Sequence, residues 1–129
     1  MAEFLPLFKP GQSWTSTTSA DVTAGQLLIA TGVDTVGPGT ANSVAYVGVA
    51  AFDALNGTTV TVYSPKIAWM TSSGAITAGS QVVPAASGAV SALAAVSTPT
   101  AADVTNTRAC IGVALNTAAS NRVKVLFSR

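Results

Sequence analysis

Val22-Thr23-Ala24-Gly25 is followed 54 residues later by Ile76-Thr77-Ala78-Gly79, and these two blocks open two series of matching sequence. Two further pairs of blocks follow in the same order: Val47-Gly48-Val49-Ala50 with Ile111-Gly112-Val113-Ala114, and Val60-Thr61-Val62 with Val123-Lys124-Val125. The chain therefore contains a degenerate internal duplication. The offset between matching blocks rises from 54 to 64 within the series. This rise predicts an insertion in the second copy, which we place in residues 97–107.

Each kind of block has a physical role in a β structure. Gly25 and Gly79 can adopt a positive φ and close a tight turn before an apolar strand, at residues 26–31 and 81–84. The Gly-Val-Ala blocks set a glycine among β-branched residues. This pattern predicts central strands that are buried on both faces and closely approached by another backbone. In the third block apolar and polar residues alternate, as in a strand with one buried face.

The predicted fold is all-β: a compact single domain, β-barrel-like or β-sandwich-like, built from two degenerate half-repeats at about 20–70 and 74–129. A repeat of this length that occurs only twice does not fit a solenoid. Two local signals add detail. Gly37-Pro38-Gly39 predicts an exposed loop, and Thr98-Pro99 predicts one short helical turn through Asp103.

The first sixteen residues differ from the domain that follows at residues 17–129. They carry five large apolar anchors: Phe4, Leu5, Leu7, Phe8 and Trp14. Prolines interrupt this segment, keep it extended and remove hydrogen-bond donors. Two interpretations are open: a first edge strand packed on its own domain, or an extended arm that contacts a neighbouring subunit or scaffold. An early acid and a proline do not fit a secretory signal.

The chain has unusually few charges. Charged residues make up 9% of it, against about 25% in typical soluble domains. Its formal net charge is +1, and such a weakly charged surface tends to associate. We therefore expect copies of the chain or a partner to cover much of it. The six lysines and arginines are scattered in sequence, which disfavours nucleic-acid binding. No apolar stretch approaches the ~18–20 residues of a membrane span.

Residues for catalysis or metal binding are scarce. Histidine is absent, and Cys110 is the single cysteine, in an apolar stretch at residues 109–115 that predicts a buried strand. This composition disfavours histidine-based catalysis, zinc binding and disulfide formation. The five acids are isolated in sequence. Asp34 and Asp53 could form a glycosidase pair, although roles beside turns or caps are the more common use. We expect no enzymatic activity, no cofactor and no metal.

Two further features bear on sugars. Asn56-Gly57-Thr58 matches a glycosylation sequon but is better explained as a hairpin turn. Four aromatic residues could form a sugar-stacking platform, although core or interface positions are commoner for such side chains; they are Trp14, Tyr46, Tyr63 and Trp69. This keeps open an alternative function, a glycan- or receptor-binding β module on a virion or cell surface.

Motifs along nearly the whole chain share one resemblance. They are Phe8-Lys9-Pro10-Gly11, the Ser/Thr-rich residues 14–19, Ala20-Asp21-Val22-Thr23-Ala24-Gly25-Gln26-Leu27-Leu28, Val47-Gly48-Val49-Ala50-Ala51-Phe52-Asp53-Ala54, Ile76-Thr77-Ala78-Gly79 and Ile111-Gly112-Val113-Ala114-Leu115. In this order and at this length, the chain resembles the capsid decoration, or cement, proteins of tailed bacteriophages. Residues 64–73, which include Trp69, match nothing diagnostic of that family.

The resemblance implies a structural, non-catalytic role in the virion. A family member is expected to be made in the host cytoplasm and to bind the outer surface of the phage head as a homotrimer. Its partners would be the major capsid protein and copies of itself, with no nucleic acid and no membrane involved. Bound there, it would clamp adjacent capsomers against internal pressure. The resemblance carries over no individual site residue.

Overall fold

The computed structural model describes residues 13–128, and this part of the chain folds mainly into strands. Its elements are β1 (Trp14–Thr18), β2 (Leu27–Gly32), β3 (Thr35–Pro38), β4 (Tyr46–Ala50), β5 (Thr59–Tyr63), β6 (Ile67–Thr71), β7 (Gln81–Pro84), β8 (Val90–Ala92), α1 (Ala101–Arg108), β9 (Gly112–Ala114) and β10 (Arg122–Phe127). A single 3₁₀ turn at Ala86–Gly88 separates β7 from β8. The all-β prediction is confirmed.

The strands form two sheets, and each sheet takes all its strands from one half of the chain. The first five close into a barrel in the order β1-β3-β2-β4-β5. The other five form a sheet in the order β6-β10-β9-β7-β8. The strands β6 to β10 correspond in order to β1 to β5. With this matching, equivalent strands are neighbours in both sheets. Only the closure differs: β1 and β3 pair in parallel, whereas a single parallel bridge from Ser72 to Val90 spans the equivalent gap.

The pairing register is also the same in the two halves. Leu28 lies opposite Gly48 in the first sheet. At the equivalent position of the second sheet, Val82 lies opposite Gly112. Because side chains alternate between the faces of a strand, an equal register places equivalent residues on equivalent faces. Residues in the paired strands of one half therefore have structural counterparts in the other half, and these can serve as internal comparisons.

This correspondence covers Trp14–Tyr63 and Ile67–Phe127, so it begins earlier in each half than the predicted half-repeats at about 20–70 and 74–129. The difference arises at β1 and β6, whose sequences do not resemble each other. The predicted insertion lies where the two halves diverge, and α1 occupies it.

The core has two apolar clusters. One fills the barrel and consists of Val22, Leu28, Val36, Ala50, Val60 and Val62. The other lies under the second sheet, but it also includes Leu27 and Val49 from the first half. Tyr46 of β4 stacks on Phe127 of β10, with ring centroids 5.7 Å apart and planes 11° apart. The two sheets therefore share a core. Each fully buried valine or leucine stabilises it by roughly 1.5–3 kcal/mol relative to an exposed one.

The predicted turns form as expected. Gly25 and Gly79 have φ of +84° and +87°, in the region that favours glycine. The amide N–H of each also donates to an equivalent acceptor, the carbonyl of Ala50 for Gly25 and that of Ala114 for Gly79. The alternation in β5 and β10 is confirmed as well. Every second residue is buried in each strand: Val60 and Val62 in β5, and Val123, Val125 and Phe127 in β10.

The prediction of an exposed loop at Gly37-Pro38-Gly39 was wrong. Gly37 and Gly39 are buried, and Thr35–Pro38 is the strand β3 rather than an exposed loop. The Gly39 N–H donates to Leu27, so the nitrogen of Pro38 points away from β2, past the end of the pairing with β1. A proline is tolerated at such a position because no ladder bond is lost there.

The helix is longer than predicted and begins later. The Asp103 carboxylate accepts hydrogen bonds from the N–H and the hydroxyl of Thr100, at 2.7 and 2.9 Å. Thr100, rather than Thr98, is therefore the N-cap residue, as in a capping box. No residue of α1 is buried, so the helix contributes little to the core.

Trp14 belongs to the barrel. It lies in β1, pairs with Val62 of β5 and packs against the first core cluster. The boundary predicted at residue 16 therefore differs from the structure, because the barrel begins with β1. The other four predicted arm residues lie outside the described residues; they are Phe4, Leu5, Leu7 and Phe8. Between residues 13 and 128, no helix has the length and apolar character needed to cross a membrane.

Candidate interaction surface

The acidic side chains of the first half hold loops. The Asp53 carboxylate accepts a hydrogen bond from the Ala24 N–H at 2.8 Å, and that of Asp21 accepts one from the Asn56 N–H at 2.8 Å. Asp21 and Asp53 line one shallow surface depression, whereas Asp34 lines another, beside Trp14. The structure therefore does not bring Asp34 and Asp53 together in one cleft, and the turn-and-cap interpretation accounts for both hydrogen-bonded acids.

Cys110 precedes β9 and does not belong to it. The strand begins at Gly112, so the predicted strand at residues 109–115 is shorter than expected. The thiol is half-buried and lies 3.6 Å from the carbonyl oxygen of Gly112. Within residues 13–128, no group of three or more His, Cys, Asp or Glu side chains is arranged to hold a metal ion.

The four aromatic residues proposed as a sugar platform do not share a face. Tyr46 stacks in the core, and Trp14 lies on the inner face of the barrel beside Val62. Tyr63 follows Val62 and therefore projects outward, with 51% of its surface exposed. Trp69 is 49% exposed but lies on the second sheet. A continuous stacking platform is not formed.

Large apolar side chains are nevertheless common on the surface. Ten of them are at least 43% exposed in the described part of the chain: Val33, Val44, Phe52, Leu55, Tyr63, Ile67, Trp69, Val96, Val104 and Leu115. Single exposed apolar residues are normal, whereas contiguous ones indicate interaction surfaces. The question is therefore which of the ten are neighbours.

The strand register brings two of them, Ile67 and Trp69, together on the outer face of the second sheet. Ile67 and Trp69 alternate with inward-facing residues along β6. Leu126 lies opposite Ile67, and Lys124 lies opposite Trp69. Directly paired residues project from the same side of a sheet, so these four residues form one surface, which we call the β6–β10 face. Arg122, two residues before Lys124, extends it at one end.

Lys124 and Trp69 interact directly on this face. The Lys124 ammonium lies 5.2 Å from the centroid of the indole ring, within the range of a cation–π interaction. The contact holds the cation over the aromatic surface. The β6–β10 face therefore combines exposed apolar area with fixed positive charge.

The same face of the first half is polar except at Tyr63, which takes the place of Leu126 and is 51% exposed. In the shared register, Ser13 and Thr15 take the places of Ile67 and Trp69, and Thr61 takes the place of Lys124. Both halves fold into the same strand arrangement, so the fold does not require apolar residues here. The apolar character of the β6–β10 face is consequently a property of the surface rather than of the core.

This face escaped prediction because residues 64–73 matched no block of the duplication. A signal was nevertheless present: Ile67 and Trp69 alternate with Ala68 and Met70, as in a strand. All four residues are apolar, so periodicity did not identify which face was buried.

The chain belongs to the phage cement protein family, whose family model matches residues 8–129. No curated protein matches the chain. Among solved structures, it is similar to the N base of the head fiber protein gp8.5 of bacteriophage phi29, with a TM-score of 0.63 and 21% identity. The match covers 91% of this chain and 93% of the other. At this identity the similarity shows the fold alone.

The family match confirms the resemblance found in the sequence. It assigns the chain to the structural proteins of the phage head and virion and supports a role in capsid decoration.

Proposed function

We propose that the protein is a homotrimeric decoration protein. It binds the outer surface of a phage head, contacts the major capsid protein and stabilises the junctions between capsomers. Membership of the phage cement family carries this proposal. The surface supports it, because ten large apolar side chains are exposed within residues 13–128, and only 9% of the residues in the whole sequence are charged.

The physical argument rests on copy number. A decoration protein needs no cleft and no reactive group; it needs a contact surface that is repeated over the shell. Weakly polar contacts of modest affinity become a stable coat when each trimer engages several capsomers at once, because later contacts form at high effective concentration.

We further propose that residues 1–12 contribute to this attachment. Phe4, Leu5, Leu7 and Phe8 are concentrated in a short segment that immediately precedes β1. Prolines in the segment favour extended backbone. An extended apolar segment can add to a sheet edge or a groove of a neighbouring protein.

The test is co-sedimentation with expanded phage heads that lack a decoration protein, paired with native mass spectrometry of the free protein. We expect a trimer at micromolar concentration and saturable binding to expanded heads, with weaker binding to unexpanded procapsids. Binding should also raise the temperature at which the heads release DNA. A strictly monomeric protein, or one that binds glycans but no expanded head, would overturn the proposal.

A further inference from the structure

Charge is segregated between the halves of the chain. Residues 13–65 contain three aspartates and no lysine or arginine. Residues 66–129 contain five lysines and arginines against a single aspartate. The small net charge thus conceals two regions of opposite sign, and such regions attract each other when two copies meet in the right orientation.

Two aspartates of the first half, Asp21 and Asp53, lie beside exposed apolar residues. Asp21, Asp53 and Leu55 line one depression, and Phe52 precedes Asp53. Leu55 is 69% exposed and Phe52 is 46% exposed. We call these four residues the acidic rim. It combines apolar area with negative charge, as the β6–β10 face combines apolar area with positive charge.

The acidic rim, too, is absent from the other half. The Ala24 N–H donates a hydrogen bond to the Asp53 carboxylate, whereas its counterpart, the Ala78 N–H, donates to the Thr117 hydroxyl oxygen. By the same register, the counterparts of the other rim residues are small or uncharged: Ala75 for Asp21, Asn116 for Phe52 and Ala119 for Leu55. Each half therefore carries one apolar, charged surface that its counterpart lacks, and the two surfaces differ in sign.

We propose that the β6–β10 face of one copy docks on the acidic rim of a second copy. The inference rests on the homotrimer of the proposed function and names the surfaces that build it. Both surfaces are exposed in the single chain, so neither covers the other within one molecule. A contact between two different surfaces is heterologous and can repeat until the ring closes.

The charges argue against a symmetric contact between two β6–β10 faces. Such a contact would place Lys124 and Arg122 of one copy near the same cations of the next, and like charges disfavour association. A contact between two acidic rims has the same defect. Pairing one surface with the other brings Lys124 and Arg122 towards Asp21 and Asp53, and it covers exposed apolar residues on both sides.

Single-cysteine cross-linking tests the contact. Leu55→Cys and Trp69→Cys are made separately in a Cys110→Ala background, each with a different affinity tag, and are co-expressed. Both positions are exposed, so the core is unaffected. We expect a short flexible bis-maleimide to link residue 55 to residue 69 between chains, while 55–55 and 69–69 links stay minor. Predominant 55–55 or 69–69 links would overturn the inference.

The structural counterparts provide matched controls. Ala119→Cys corresponds to Leu55→Cys, and Thr15→Cys corresponds to Trp69→Cys. These exposed control positions should give at most a small fraction of the 55–69 yield between chains. Equal yields at the control positions would show that the linker captures random collisions, and that result would also overturn the inference.

A charge test follows the same logic. Asp21→Asn with Asp53→Asn keeps an oxygen acceptor for each loop hydrogen bond but removes the rim's charge. This variant should lose at least half of its trimer at low salt, where exposed charges act most strongly. An unchanged trimer fraction would count against the docking.

Head binding separates this inference from the proposed function. If Lys124→Glu with Arg122→Glu stays trimeric but no longer binds expanded heads, the β6–β10 face contacts the capsid. The docking is then wrong and the decoration function stands. If the cysteine variants form the 55–69 link but wild-type protein binds no expanded head, the contact between copies is supported and the decoration function fails.

Discussion

Gly48 and Gly112 occupy the same position in the two halves, each facing the carbonyl group of a neighbouring strand. A Cβ atom at Gly48 would overlap the carbonyl oxygen of Tyr63, and one at Gly112 would overlap that of Leu126. Tyr63 and Leu126 are themselves counterparts. The close backbone approach is therefore a repeated element of the fold, and the sequence pattern of the Gly-Val-Ala blocks predicted it.

Alanine at either glycine should destabilise the domain. In Gly48→Ala and Gly112→Ala, the new methyl group meets backbone that can yield only if the paired strand moves. Overpacking of this kind costs about 1–3 kcal/mol. Urea unfolding followed by circular dichroism measures the change. Gly57→Asn is the control, because the site is open and asparagine tolerates the φ of +82°. A Gly112→Ala protein as stable as the control would contradict the close approach.

The Asp53 carboxylate should stabilise the turn that precedes β2. Asp53→Ala removes the acceptor of the Ala24 N–H, whereas Asp53→Asn keeps an oxygen in its place. We expect a loss of about 1 kcal/mol in the free energy of unfolding for the alanine variant and a smaller loss for the asparagine variant. Thr117→Val makes the equivalent change in the second half. If alanine and asparagine behave alike at residue 53, the hydrogen bond contributes nothing.

The helix α1 should open independently of the sheets. Asp103→Ala removes both hydrogen bonds of the carboxylate to Thr100, and no residue of the helix is buried. Hydrogen exchange at residues 101–108, followed by mass spectrometry, should accelerate several-fold while exchange in β9 and β10 is unchanged. Thr105→Ala, an exposed change within the same helix, is the control. Faster exchange throughout the second sheet would show that α1 supports the core.

Removal of residues 1–12 should separate attachment from folding. The barrel begins at β1, and Trp14 is part of its packing, so a chain starting at Ser13 should keep its unfolding midpoint within a few degrees. The same truncation should weaken head binding or trimer formation at least tenfold, as judged by sedimentation and native mass spectrometry. The double substitution Phe4→Ser with Phe8→Ser is a milder change, which should weaken the same interactions without shortening the chain. Unfolding of the truncated chain would contradict the arm proposal.

The sequence predicted the parts of the fold that the duplication repeats. The glycine turns, the two central strands and the strands at Val60 and Val123 recur as recognisable blocks, because these positions need particular backbone geometry or burial. Two copies of one pattern also support each other, so weak local signals became a consistent strand assignment.

The rest depended on long-range pairing. Gly37-Pro38-Gly39 has the composition of a loop, and only its neighbours β1 and β2 make it a strand. β6 matched no block because its residues differ from those of β1 on both faces: Ile67 and Trp69 on the outer face, and Ala68 and Met70 where β1 has Trp14 and Ser16. The two charged, apolar surfaces could not be predicted from spacing alone, since each assembles residues from separate segments.

Cryo-electron microscopy of expanded phage heads incubated with this protein tests the decoration function most directly. The proposed function predicts additional trimeric density on the outer surface, at three-fold and quasi-three-fold junctions between capsomers, into which three copies of the barrel and second sheet can be fitted. Heads that show no saturable binding of the protein and no added density at any junction between capsomers would contradict it.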